Sequence, residues 1–385
     1  LAKVSGRDAD GFGSLIRNYR TFGLRALDAS LIGAGVLSGK ISAGNSGNGL
    51  SGAFIWNQVA NDTVVTVDDD ATIAVAGDMQ LTAASVTEAD AGIASLNAAI
   101  GNAGSLSGYD FGGNSLAYTG AANDLSGDTT DQPGQSALQD TGWGSSIIAV
   151  AGDVAVGGNN VGLSFVGSQV KNAHRVDIGN ATLSAGENLM LNARDNTRII
   201  DLAAGVGIST GQFAGMGSAV YNDIANASQV RFGSAVLEGK SASISANNVF
   251  AKAEDASRIY GLAGNVAIST GSAAAAGAVA YNKIANTVTA EAGRTAFRTD
   301  GNVELGAKND AQIMAGAVAG GGSMSGTALG LSFWWNETGN QTFAGARDGS
   351  TFDATGLIVD ADNASRIYAL AGSVGIGGKA AVGLA

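Results

Sequence analysis

Hydrophobic residues alternate with polar or small ones in short stretches along most of the chain. NVAIS (265–269), NVELGAK (302–308) and NLMLNA (188–193) carry Val-x-Ile, Val-x-Leu and Leu-x-Leu, the two-residue period of strands with one buried face. Gly, Asn and Asp bound these segments, and all three tolerate the left-handed backbone of tight turns. No segment sustains a helical period with caps. Gly271 and Gly277 interrupt the Ala-rich run 273–280, whose equivalents elsewhere are Gly-rich, so it too reads as strand.

The pattern recurs on a longer scale. An isoleucine closes a short polar run in DASLI (28–32), ADAGI (89–93), GSSI (144–147), DNTRI (195–199), DASRI (255–259), DAQI (310–313) and NASRI (363–367), at intervals of 61, 54, 52, 60, 54 and 54 residues. A second marker follows 22 to 24 residues behind: Trp56-Asn57 to Asn61, Tyr221-Asn222 to Asn226, Tyr281-Asn282 to Asn286 and Trp335-Asn336 to Asn340. Degenerate copies fall at 118–123 and 167–172. Two markers in approximate phase define a repeat near 54 residues, the signature of a solenoid. The expected fold is all-β, a parallel β-helix (β-solenoid). With coils on the order of 18 to 20 residues, each repeat makes about three coils, the chain roughly 20, and the rod is on the order of 100 Å long. Inward Ala and Gly keep the section thin, Val, Ile and Leu fill the rest, and equivalent Asn side chains form hydrogen-bonded ladders across coils. The whole of 1–385 reads as one continuous solenoid segment of a longer protein. Neither end carries a polar capping repeat, so the rod is expected to continue both ways.

Composition fits a chain that brings backbones close together. Gly is 59 of 385 residues, Pro is 1, and charged residues are 14%. The net charge of −12 argues against a nucleic-acid surface, which needs clustered Lys and Arg. Cysteine is absent, which rules out disulfides and thiolate metal sites; the absence is compatible with the cytosol and also suits export through an oxidising compartment. The charge-free stretch 259–282 is long enough to cross a bilayer. Its Gly, Ser, Thr and Asn, and charged counterparts such as Asp201, make it β-structure instead.

Chemistry-bearing residues are few. His174 is the only histidine; without a nucleophile motif it reads as a surface-turn residue. The acidic run Asp68, Asp69 and Asp70, followed by Asp78, reads first as a solvated turn, then as a weak calcium site. A pair of carboxylates in a carbohydrate-cleaving β-helix is the enzymatic alternative. Trp56, Tyr221, Tyr281 and Trp335 share one phase of the repeat, which favours a structural covering of one coil edge over a sugar platform. Trp334 stands where other repeats have Ile55, Val220 and Ala280; alternation sets it and Trp335 on opposite faces, with at least one exposed. The stretch 123–141 lacks a strand pattern and holds the sole proline. It reads as an irregular polar loop or degenerate coil, or as a projection contacting a partner through Asp131, Gln132, Pro133 and Gln135. Trp334 and these four residues are the candidate ligand contacts. No catalytic, metal or cofactor residue is expected.

The segments ASRIYGLAGNVAISTG, AAGAVAYNKIAN and NVELGAKNDAQI resemble the repeats of large filamentous-haemagglutinin-like adhesins of two-partner secretion, especially the leukotoxin-type filamentous adhesins. The resemblance covers nearly the whole chain. It implies a right-handed β-helix, an outer-membrane secretion partner, secretion to the bacterial cell surface, and roles in adhesion and biofilm formation. The expected function is a non-enzymatic adhesive shaft that meets a cell-surface glycan, an exopolysaccharide or another copy of itself. A self-associating extracellular filament and a polysaccharide-acting enzyme are the alternatives.

Overall fold

The structure is a computed structural model that describes residues 2–5, 15–19, 21–41, 47–68, 70–85, 110–111, 114–115 and 145–385. Among the described residues every regular element is a strand, apart from a short antiparallel pair at 110–115 all in parallel ladders. One circuit shows the plan. Arg198–Ser209 and Phe213–Ile224 are long strands, followed by the shorter Ala227–Gly233, Ala242–Ala246 and Asn248–Asp255. Each pairs only with its counterparts in neighbouring circuits, giving five sheets of six strands, here numbered I to V in chain order.

Register ties the ladders to the repeat. Ile147, Ile199, Ile259, Ile313 and Ile367 are successive neighbours in sheet I. Hydrogen-bonded partners are therefore one whole repeat apart, and the repeat is a single rung of five strands. The expectation of three coils per repeat and roughly 20 coils is corrected accordingly. The reason is strand length. Strands of 12 residues in sheets I and II use up in one circuit the chain that shorter strands would spread over three. Six strands at about 4.8 Å spacing span about 24 Å, not 100 Å. The rung at 31–85 pairs directly with that at 146–195: Ile32 neighbours Ile147 and Val65 neighbours Val176. The repeat copies expected at 89–93 and 118–123 lie outside the described residues.

Each rung encloses two separate cores. Sheets I and II face each other as a thin blade filled by Ala53, Ala149, Ala203, Ala214, Ala263, Ala276 and Ala278, with larger Ile199, Ile224 and Ile259 toward its base. Sheets III, IV and V wrap a thicker lobe packed with Val65, Ile73, Leu81, Leu183, Leu191, Val230 and Phe232. In the lobe Phe297 is fully buried, edge-on to Phe232 at 5.4 Å and stacked on Phe352 at 4.9 Å. Small inward residues thus set the blade's thickness and branched or aromatic ones the lobe's, as expected from composition.

The corners have local causes. At the blade tip the hydroxyls of Ser209 and Ser269 each accept the N–H of the glycine two residues on, at 3.1 Å. Ser-Thr-Gly is therefore a turn signal with a mechanism. The corner between sheets III and IV takes positive φ at Asp70, Gly233, Arg294 and Asp348. Charges collect on the lobe, where Arg231 grips Asp177 in a two-bond fork of 2.9 and 2.8 Å, Arg175 grips Asp62 and Lys252 meets Glu304 at 3.1 Å.

Candidate functional site

Blade and lobe meet at a polar waist built from the two repeat markers. The second Asn of each aromatic marker forms one column: the backbone N–H of Asn172, Asn226 and Asn286 donates to the side-chain oxygen of Asn226, Asn286 and Asn340, at 2.9, 3.0 and 2.8 Å. Their amide groups cross to the Asp of the isoleucine marker. Asn61 Nδ2 donates to Asp28, Asn226 Nδ2 to Asp195 at 3.0 Å, and Asn286 Nδ2 to Asp255 at 2.6 Å. The markers keep phase along the sequence because they touch in every such rung. Buried amides and carboxylates are stable only when their hydrogen bonds are made. Burial, then the neighbouring Asp195, pushes the Asp255 carboxyl well above its usual range. The expectation of Asn ladders is met.

His174 belongs to this waist. It is fully buried, with Nδ1 3.0 Å from Asp195 Oδ2, so the surface-turn reading is corrected. Its strand alternates, and His174 falls in phase with the buried Val176 and Ile178. The solvated-turn reading of the acidic run is likewise corrected for Asp68. That side chain is buried, pairs with Lys240 and accepts the N–H of Asn180 at 2.7 Å. Asp78 accepts both N–H and Nδ2 of Asn188 at 3.1 Å. Asp69 lies outside the described residues.

A second polar column runs inside the blade. The first Asn of each marker stacks as Asn57, Ser168, Asn222, Asn282 and Asn336. Asn282 donates to Asn336 at 2.8 Å, and Gly261 opposite leaves the room: a Cβ there would sit 2.6 Å from Asn282 Oδ1. Asp201 faces this column, and burial raises its pKa to about 7 against a smaller lowering by the Ser168 hydroxyl. In one orientation Asn222 Nδ2 donates to Asn282 Oδ1 at 2.8 Å. Turned over, it donates to Asp201 Oδ2 at 2.6 Å and to the carbonyl of Tyr221 at 3.1 Å. An ionised carboxylate only accepts and requires the second orientation; a protonated one can donate and suits the first.

The outer faces of the blade are the least polar surface described. On sheet I the outward positions of one rung are Ile200, Leu202, Ala204, Val206 and Ile208, and of the next Tyr260, Leu262, Gly264, Val266 and Ile268. The equivalent positions in the other four strands are Gly, Leu, Ile, Val, Met or Tyr. No charged side chain lies among them; the nearest are Arg198, Arg258 and Arg366 at the waist end. Val150, Val206, Leu262 and Val266 are 42 to 47% exposed. Sheet II carries an aromatic column instead. Phe54 stacks on Phe165 at 4.9 Å, Trp56 lies 5.8 Å from Tyr221, and Tyr221 stacks on Tyr281 at 5.2 Å. Such cross-strand pairs stabilise the sheet, in line with the structural reading of the marker aromatics.

Trp335 extends this outer column as the neighbour of Tyr281, while Trp334 takes the inward position of the buried Ala280. The two indoles are on opposite faces, as alternation required, and both are exposed. The last strand, Ala380–Leu384, pairs only as far as Leu331 and leaves them uncovered. The exposure of Trp334 thus comes from the position of its rung. Asp131, Gln132, Pro133 and Gln135, with the whole of 123–141, lie outside the described residues. Sequence reasoning missed the bare faces of the blade. The available signal was SIIAVAGDVAVG (Ser146–Gly157), apolar in both phases as in sheets covered on both sides. Comparison with protein-family models, with curated proteins and with solved structures gives no match that would assign the chain to a family.

Proposed function

We propose that this segment is the non-enzymatic, adhesive shaft of a secreted bacterial surface adhesin, built as a right-handed solenoid. One observation carries the reading: a single rung repeats in register, so any contact made by one rung is offered again about 4.8 Å along. Weak contacts repeated on a stiff scaffold sum to avidity well above any single one. The aromatic column of sheet II is the surface proposed to make them, since Trp56, Tyr221 and Tyr281 stack along the outer face, Gly167 standing between the first two, and offer their ring edges and the two phenol hydroxyls to a sugar. The likeness of the repeats to two-partner-secretion adhesins supports export to the cell surface and attachment in biofilms.

The test is retention of beads coated with the segment on immobilised exopolysaccharide and on cells, with Trp56→Ser, Tyr221→Ser and Tyr281→Ser combined as the variant. Retention that falls at least tenfold while circular dichroism is unchanged supports the reading. Equal retention of wild type and variant, or release of reducing ends from the polysaccharide, overturns it.

A further inference from the structure

We infer that the outer face of sheet I is a pairing surface for the same face of a second copy of this chain. The inference stands apart from the adhesive reading, which concerns the aromatic column of the opposite sheet. Its first support is chemistry. Of thirty-six outward positions, six on each of six strands, thirty carry no charge and only two hydrogen-bonding side chains, Tyr260 and Tyr368; the remaining column, at the waist end, is Leu31, Ser146, Arg198, Arg258, Gln312 and Arg366. Monomeric soluble proteins rarely leave a contiguous apolar patch above a few hundred Å². Six strands about 4.8 Å apart span about 24 Å and five positions about 6.6 Å apart about 26 Å, a projected face on the order of 630 Å². A stable protein–protein interface needs about 800 Å² of accessible surface per partner. Side chains such as Leu37, Ile41, Leu262, Leu370 and Ile376 stand exposed above that plane, and the accessible surface of the face exceeds its projection accordingly.

The second support is relief. Along each strand the outward residues form columns, and the columns form ridges. On three successive strands Val150, Leu202 and Leu262 make one ridge and Val154, Val206 and Val266 another, with Gly152, Ala204 and Gly264 as the furrow between them. The strands on either side invert the relief, with Gly35 and Gly39, and Gly316 and Gly320, on the ridge lines and Leu37 and Val318 in the furrow, and the last strand restores it with Leu370, Gly372 and Val374. A ridge of one copy can enter the furrow of the other, as side chains of stacked sheets interdigitate at about 10 Å separation. The third support is period. Rung spacing belongs to this repeat, and a second copy presents the same spacing along its own sheet I. Such a two-fold contact is self-complementary and closed. Both outer faces end in a polar column at the waist, Arg198, Arg258, Gln312 and Arg366 on sheet I and Gln58, Gln169, Asp223, Lys283 and Glu337 on sheet II; sheet II also carries Asn48, Asn159 and Thr327 at its other end.

Two substitutions separate pairing from folding. Val266 is 43% exposed, so Val266→Glu costs the single copy little but places a carboxylate in the proposed interface. At Gly264 the nearest atom to an added Cβ is the Val318 carbonyl oxygen at 4.0 Å, so Gly264→Val raises the furrow floor with no close approach of its Cβ to the backbone. Sedimentation velocity on the purified segment is expected to give twice the monomer mass at micromolar concentration. Val266→Glu is expected to weaken association roughly a hundredfold or more, and Gly264→Val to weaken it as well, both with unchanged circular dichroism. Val279→Glu, on the exposed face of sheet II, is the control and keeps the wild-type mass. A monomeric wild type overturns the proposal, whether it floats with phosphatidylcholine–phosphatidylglycerol vesicles, which makes lipid the occupant, or does not. A dimer unaffected by both sheet I variants overturns it too.

Discussion

Replacing Asp201 by Asn should abolish a pH dependence of stability that the blade interior imposes. The Asp201 carboxyl is buried against the Asn222 column, and burial raises its pKa from 3.8 to about 7. The folded protein therefore holds this proton more tightly than the unfolded chain. Stability from Asp201 is complete below pH 4 and is lost as pH rises through 7. Linkage gives the size: between pH 5 and pH 8 the folded-state term falls by about 2.5 kcal/mol. Asn cannot ionise and resembles the protonated acid in shape, so Asp201→Asn keeps what the wild type loses. The assay is urea denaturation followed by circular dichroism at both pH values. Asp153 and Asp255 are also raised by burial and shift wild type and variant alike, so the difference between the two proteins isolates Asp201. The variant should gain about 2.5 kcal/mol on the wild type between pH 5 and pH 8. A difference that stays constant with pH refutes the reasoning.

Other positions test packing. Gly261→Ala drives a Cβ to 2.6 Å from Asn282 Oδ1 and 2.9 Å from Asn222 Nδ2; thermal unfolding should show a loss of about 1–3 kcal/mol. Gly277→Ala, where nothing lies within 4 Å, should be neutral or slightly stabilising in the same assay. Phe297→Ala opens the lobe between Phe232 and Phe352 and should cost about 3–5 kcal/mol in denaturant titrations. Asn226→Ala removes the donor that Asp195 and Thr197 share and the oxygen that accepts the Asn172 N–H. Each group left buried without a partner should cost about 1–3 kcal/mol, with earlier hydrogen exchange at the waist as the local readout.

Strand character and the repeat were legible because both are written in spacing. NVAIS and NLMLNA alternate and form strands, and the isoleucines 52 to 60 residues apart sit side by side in one ladder. Coil length was not legible. Alternation identifies a strand with one apolar face, whereas the strands of sheet I are apolar on both and so run longer than the pattern marks. Inward polar groups were half legible: His174 and Asp201 each stand in phase with buried aliphatic neighbours, but a sequence does not say what partner makes burial tolerable. The polar group nearest His174 is Asp195, 21 positions away, and those meeting Asp201 are Asn222 of its own rung and Ser168 of the neighbouring one. Trp334 was read correctly as opposite to Trp335, because two residues in a strand need only their parity.

The two-core rung also sets how a stack of such rungs bends. The blade is about 40 Å wide, from 12 residues per strand, and about 10 Å thick. Flexural rigidity grows with the cube of the dimension in the plane of bending, so a ribbon of these proportions is about sixteen times stiffer edgewise than across its flat. The blade taken alone therefore flexes like a leaf spring toward one of its broad faces, and the thicker lobe along its edge resists that curvature. Joining two such leaves face to face doubles the thickness and raises the soft-direction rigidity about eightfold, turning a pliant strap into a beam that holds its length.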